Sequence, residues 1–275
     1  MMVCTSPFRL RGDGRLYRHF DLTENKIVHS KYIIVPCGQC MACRINRSNE
    51  WSDRISHELA LYNTACFATI TYDDPHLPPN ASLSKRDIQL WLKLLRKHLK
   101  KTIKYYICGE YGGTTFRPHY HGIFINISPH EMKTLGKRLW NKCDPQQFRV
   151  SMAVPETINY TTKYIQKTAL GESAKSSYDA NNLERPFALM SKGIGKSYMQ
   201  NSINRKKISD QLCIITSSGA RHPLPKYYKK LLWLGPEEYP YQTRGELEEI
   251  AKKRVSGKET ERILAKKVSL KKDKL

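Results

Sequence analysis

"RPHYHGIF", residues 117–124, decides how the chain is read. Successive side chains of a β-strand point to opposite faces, so His119, His121, Ile123 and Ile125 share one face while Tyr120, Gly122 and Phe124 share the other. Neighbours on one face lie about 6.6 Å apart, and two imidazoles at that spacing can lean together onto one cation. The preceding run, "IKYYICGEYGG" (103–113), reads as an antiparallel partner strand. It ends at Glu110, whose carboxylate a hairpin return brings beside the histidines. Two imidazoles and a carboxylate, with positions left for water or substrate, suit a catalytic Mg²⁺ or Mn²⁺. The plainer alternative is two polar side chains on a wet sheet face.

Outward from this hairpin the chain alternates strands and helices. "CFATITY" (66–72) and "QFRVSMAV" (147–154) read as further strands. A helix runs from Ile45, with Trp51, Ile55, Leu59 and Tyr62 on one face. Another occupies "SLSKRDIQLWLKLLRKHL" (82–99), with Ser84 and Asp87 as its cap and Ile88, Trp91, Leu92, Leu95 and Leu99 as its buried stripe. "SPHEMKTLGKRLW" (128–140) opens on Ser128, Pro129 and Glu131, a helix start signal, and a third core helix begins near Pro155. The expected fold is α+β, a central antiparallel sheet with helices packed mainly on one face. "ALGESAKSSYDANN" (169–182) reads as a flexible loop, and "GIGK" lacks the spacing of a nucleotide-binding phosphate loop.

Three segments are expected: a Cys-rich segment at 1–44, a central domain at 45–225 and a basic, helix-prone tail at 226–275. Lys and Arg number 47 against 25 Asp and Glu, a formal net charge of +22. So large an excess points to a polyanionic partner, and 16 Tyr, 7 Phe and 4 Trp among the basic residues offer stacking surfaces for unpaired bases. A merely basic or ribosomal protein is the bland alternative. No run is long and apolar enough for a membrane span, and the start lacks a signal-peptide core, so no membrane partner is expected.

Four of the eight cysteines, Cys4, Cys37, Cys40 and Cys43, lie near the start, three of them in "PCGQCMACR" (36–44). Composition alone would produce a C-x-x-C-x-x-C triple only about 0.007 times in such a chain. Thiolates so spaced can fold back onto one soft cation, and Cys4 can complete a tetrahedral structural zinc site; an iron–sulfur cluster or reduced thiols are the alternatives. "YTTKY" places Tyr160 and Tyr164 one helical turn apart on one face, with Lys163 near it.

In order along the chain, "PCGQCMACR", "TITYDD", "CGEYG" followed by "RPHYHG", "YTTKY" and "FALMSKGIG" resemble the VP4-type replication initiators of gokushovirus-like microviruses, members of the HUH endonuclease superfamily. The resemblance covers Cys4 to about Tyr198 and leaves the tail after about residue 225 unexplained. It implies an HUH-type fold in which His119 and His121 are metal ligands, Glu110 is placed like the third, and Tyr160 and Tyr164 are paired nucleophiles, with Lys163 beside them. It also implies single-stranded and replicative-form viral DNA at the origin as substrate. The host replication helicase and polymerase follow as partners, and the host bacterial cytoplasm as location. The expected activity is a metal-dependent, site-specific nick through a 5′-phosphotyrosine, with later rejoining that circularises the genome. Two rivals stand beside it: a non-catalytic, zinc-stabilised single-stranded DNA-binding protein, and a plasmid or mobilisation initiator of the same superfamily. Tyr120, between the histidines, is expected to hold the strand in the core.

Overall fold

The structure, a computed structural model, describes residues 4, 8–11, 16–18, 32–113, 115–143, 146–167, 172–216 and 219–232. Contacts divide the chain into Ser48–Leu232 and a second unit that holds the described residues before Ser48. In that second unit, strands β1 (Phe8–Arg11), β2 (Leu16–Arg18) and β3 (Tyr32–Val35) form an antiparallel sheet in the order β2-β1-β3.

The larger unit is built on five antiparallel strands in the order β7-β4-β6-β5-β8. These are β4 (Ala65–Thr71), β5 (Lys104–Tyr111), β6 (Pro118–Ile125), β7 (Arg149–Met152) and β8 (Phe187–Met190). The "HYH" run therefore lies in the central strand, β6. Its alternation divides the core as period two requires: Tyr120 and Phe124 join Cys66, Ala68, Ile70 and Ile107 on one face, while Ile123 and Ile125 join Tyr106 and Cys108 on the other.

Helix α2 (Lys85–Leu99) covers the first face. Ser84 caps it by accepting the Asp87 amide, and Ile88, Trp91, Leu92 and Leu95 form the buried stripe; each such side chain contributes about 1.5–3 kcal/mol by leaving water. Helix α3 (Pro129–Glu131) opens with a reciprocal capping box between Ser128 and Glu131. It continues through a π turn at Met132–Gly136, which periodicity alone does not signal, into α4 (Lys137–Leu139). Trp91 donates to the Gly136 carbonyl at 2.9 Å and Trp140 to that of Thr71 at 2.7 Å, so both buried indoles are satisfied. Tyr120 is wholly buried here, sharing a 3.0 Å hydrogen bond with the Tyr72 hydroxyl and accepting the Ser84 amide at 2.7 Å. Burial first, and each other's proximity second, raises the Tyr72 phenol; burial likewise raises that of Tyr120. Tyr120 thus holds the strand, as expected of it.

The expectation of helices mainly on one face is corrected: the second face is covered as well. Ile55 of α1 (Met41–Leu59) and Ile158 of α5 (Pro155–Lys167) pack with Tyr106, Cys108, Ile123 and Ile125, joined by Ile194. The physical reason lies in the strands. With Ile123 and Ile125 on the histidine face, that face is too apolar to leave in water.

The expected flexible loop after residue 168 contains a helix, α6 (Glu172–Ala180), whose Tyr178 stacks on Tyr111 at 5.8 Å. Helices α7 (Lys196–Gln200) and α8 (Ser202–Gln211), the hairpin of β9 (Cys213–Ile215) and β10 (Arg221–Pro223), and α9 (Lys226–Leu232) complete the unit. The segment read as the start of a tail thus begins with α9, where Tyr228 is wholly buried, and residues 233–275 lie outside the described residues. Gly195 sits at φ +83° before α7, where an added Cβ would collide with the Tyr228 hydroxyl. That contact gives "GIG" a packing role. Among the described residues, no helix is long and apolar enough to cross a membrane.

Candidate active site

The hairpin register sets His119 opposite Glu110 and His121 opposite Cys108, so all four side chains occupy the face covered by α1 and α5. Glu110 makes its close contact diagonally, Oε1 lying 3.2 Å from His121 Nε2. The two imidazole centroids are 6.3 Å apart. Two imidazoles on one octahedral cation place their centroids roughly 5 Å apart, so a modest side-chain rotation brings this pair onto one ion.

Each ring is oriented through its other nitrogen. His119 Nδ1 lies 2.5 Å from the Arg117 carbonyl, which can only accept, so Nδ1 carries the hydrogen and Nε2 is left to face the cleft. His121 Nδ1 meets the Thr69 hydroxyl at 3.2 Å, and its ring stacks parallel to Phe67 at 6.0 Å. Gly112 gives the His119 ring its space, since a Cβ there would press on Cε1 at 3.1 Å. Cys108, although beside His121, is a poor ligand: burial foremost, and Glu110 to a lesser degree, push its thiol up to about 12, and it donates to the Thr161 carbonyl at 3.3 Å.

Helix α5 brings Tyr160 to the same place. The ring stands edge-on to His121, centroids 5.3 Å apart, and is 40% exposed. The two threonines of "YTTKY" explain this orientation. Thr161 and Thr162 are wholly buried; the Thr161 carbonyl accepts from Cys108, and Thr162 receives a hydrogen bond from Ser48 of α1 at 3.2 Å. With that side of the helix pinned to sheet and α1, Tyr160 faces the cleft. Lys163 is exposed, and Tyr164 lies on α5 four residues beyond Tyr160, its side chain outside the described residues.

A cleft of about 880 Å³ opens over these residues, with His119, His121 and Tyr160 in its wall. Sequence reasoning missed three further members. Thr69 and Thr71 pair with His121 and His119 across β4–β6, and Arg149 pairs with Thr69 across β4–β7. Thr69 was legible in part, since period two in "CFATIT" sets Phe67, Thr69 and Thr71 on one face. Arg149 needed the register of an edge strand. Arg117, also in the wall, is engaged with the Tyr72 carbonyl at 2.8 Å and with Asp74 at 2.6 Å. At the rim, Phe116 is 68% exposed with φ at +52°, a conformation a bulky residue seldom adopts.

In the second unit the sulfur atoms of Cys4, Cys37, Cys40 and Cys43 all lie within 4.8 Å of one another. Among the described residues this is the one group of three or more metal-ligating side chains so closely gathered.

The family profile of the ORF2-type replication-associated proteins matches residues 65–169, the stretch that carries β4 to α5. The chain is 29% identical over 262 residues to Replication-associated protein ORF2 of Spiroplasma virus 4, covering 83% of this chain and 80% of that protein. It is 28% identical over 218 residues to Replication-associated protein VP4 of Bdellovibrio phage phiMH2K, 70% of this chain and 66% of the relative. With Replication-associated protein ORF4 of Chlamydia phage 1 it shares 27% over 235 residues, 78% of this chain and 57% of that one. No solved structure matches.

Proposed function

We propose that this chain, which belongs with the microvirus replication-associated proteins, starts replication of a phage genome by nicking one DNA strand at the origin with HUH-type chemistry and later rejoins the ends. The observation that carries this reading is the convergence of Glu110, His121 and Tyr160 on one cleft from two strands and a helix. His119, His121 and Glu110 would hold a divalent ion, Mg²⁺ or Mn²⁺, which when bound supplies Lewis-acid polarisation of the scissile phosphate. The fit is chemical: two ring nitrogens oriented by neighbouring oxygens, and a carboxylate within 3.2 Å of one of them.

The chain's own residues do the rest. The Tyr160 hydroxyl loses its proton and its oxygen attacks phosphorus. The bond from phosphorus to the 3′-oxygen breaks, that oxygen takes a proton, and a 5′-phosphotyrosine remains. The free 3′-hydroxyl primes a host polymerase, and the ester retains the energy of the broken phosphodiester. Tyr164 is the second nucleophile, which cuts the regenerated origin so that the released 3′-hydroxyl can displace the first tyrosine and close a circle. Arg149 and Lys163 hold phosphate oxygens, and exposed Phe116 offers a face for an unpaired base.

The test is incubation of the full chain with Mn²⁺ and a labelled single-stranded origin segment, resolved on a denaturing gel beside Tyr160→Phe, Tyr164→Phe and the double substitution. A covalent band that needs metal and disappears in the double substitution is expected. Binding without any adduct from the wild type would favour the non-catalytic DNA-binding protein instead.

A further inference from the structure

Outside the cleft, the four N-terminal cysteines form a cage whose dimensions match one ion. A tetrahedral zinc with sulfur ligands at about 2.3 Å sets its sulfurs about 3.8 Å apart. Here Cys4 and Cys37 are separated by 3.5 Å, Cys4 and Cys40 by 3.8 Å, and Cys37 and Cys43 by 4.0 Å. These separations are too long for a disulfide. They are too short for a multi-iron cluster, whose own irons and sulfides must fit between the ligand sulfurs.

The backbone is arranged for thiolate charge. The amides of Gln39 and Cys40 both donate to Cys37 Sγ, at 3.4 and 3.3 Å, and the Cys37 amide donates to Cys4 Sγ at 3.2 Å. Two successive amides can face one sulfur because the chain reverses at Gly38, whose φ of +73° glycine adopts freely. Three such donors suit a cage carrying net negative charge once four thiolates surround a dication. Cys40 immediately precedes α1, and Cys43 lies in its first turn, so an ion here clamps a remote N-terminal residue to the start of that helix.

We propose that Cys4, Cys37, Cys40 and Cys43 bind a single structural Zn²⁺ with tetrahedral tetrathiolate coordination. The site closes a loop from residue 4 to residue 37 and is independent of the metal at the histidines. Full-length protein purified without added metal should contain one zinc per chain by mass spectrometry. Cys4→Ser and Cys40→Ser should each lower that content at least ten-fold, whereas Cys213→Ser, a buried cysteine elsewhere, should not change it. Should the serine variants fail to fold, the wild type still decides: titration with a mercurial should release one zinc as four thiols are modified, and exchange with Co²⁺ should give the intense visible bands of a tetrathiolate. Absence of zinc from the folded wild type, stoichiometric iron in its place, or full zinc retention in Cys40→Ser would each overturn the site. None of these readouts depends on DNA cleavage.

Discussion

Glu110 reaches past its register partner His119 to lie 3.2 Å from His121 across the β5–β6 ladder. A carboxylate in that position adds the negative charge that two neutral imidazoles cannot supply to a divalent ion. Glu110→Gln keeps the size and removes the charge. Half-maximal cleavage should then require about 10–100 times more Mn²⁺, with thermal stability nearly unchanged. Metal titrations of adduct formation give the comparison, and an unchanged Mn²⁺ requirement would remove Glu110 from the ligand set.

Thr69 acts on the same ion at one remove. Thr69→Val deletes the hydroxyl 3.2 Å from His121 Nδ1 while preserving β-branching and volume. The folded state should lose about 1 kcal/mol in urea unfolding, and the apparent metal affinity about ten-fold. A stability loss with no change in metal affinity would make the contact purely structural.

Arg149 and Phe116 should separate in their response to salt. Removing one phosphate contact with Arg149→Ala should lower the slope of log K against log salt by about 0.7 for a single strand. Phe116→Ala should leave the slope alone and weaken binding by about 1–3 kcal/mol, the worth of one stacked base. Fluorescence anisotropy over a salt series measures both, and identical slopes for Arg149→Ala and wild type would rule out its phosphate contact.

Gly195→Ala should be among the costliest single changes, because it combines a positive φ with a Cβ driven into the Tyr228 hydroxyl. About 2–4 kcal/mol of stability should be lost. Tyr228→Phe in the same chain should return part of it by removing the oxygen. Thermal melts of both variants test this; a Gly195→Ala chain as stable as wild type would mean that α9 shifts freely.

His57 sets a pH dependence on the same side of the unit. Its ring stacks on Tyr198 at 4.0 Å and its Nδ1 lies 3.1 Å from the Tyr228 hydroxyl, while burial foremost and Lys207 next pull its pKa down to about 4. In the unfolded chain a histidine titrates near 6.5, so between those values the unfolded state binds more protons. Stability should therefore be complete above about pH 6.5 and fall as pH drops toward 4, by on the order of 2 kcal/mol. Urea unfolding at pH 7.5 and 4.5 should show that difference shrinking in His57→Phe; an unchanged difference would assign it to other groups.

How far the sequence could be read depends on the range of the interaction. Alternation in "HYHGIFI" predicted which face each side chain takes, and the Ser84 and Ser128 start signals predicted two helix beginnings, because these are effects of a few residues. Helix α6 escaped notice because the stacking of Tyr178 on Tyr111 is tertiary. The covering of both sheet faces was implied by Ile123 and Ile125 sharing a face with the histidines, yet helix periodicity says nothing about which face a helix will meet. In the cleft, His119, His121, Glu110 and Tyr160 announced themselves by spacing. The supporting Thr69 and the phosphate-facing candidate Arg149 depended on pairings of β4 with β6 and β7, which join residues 52 and 80 positions apart.

Tyr160 presents 40% of its surface at the wall of a cleft, and the opposite face of the sheet is sealed by Trp91, Trp140, Phe124 and Phe148. A reactive group placed in a wall, rather than at the bottom of a tunnel, can be reached sideways. A covalently closed circle of DNA has no terminus to thread. For such a polymer, lateral entry is the only route, and it lets any point along the circle be offered to the tyrosine before a strand has been cut.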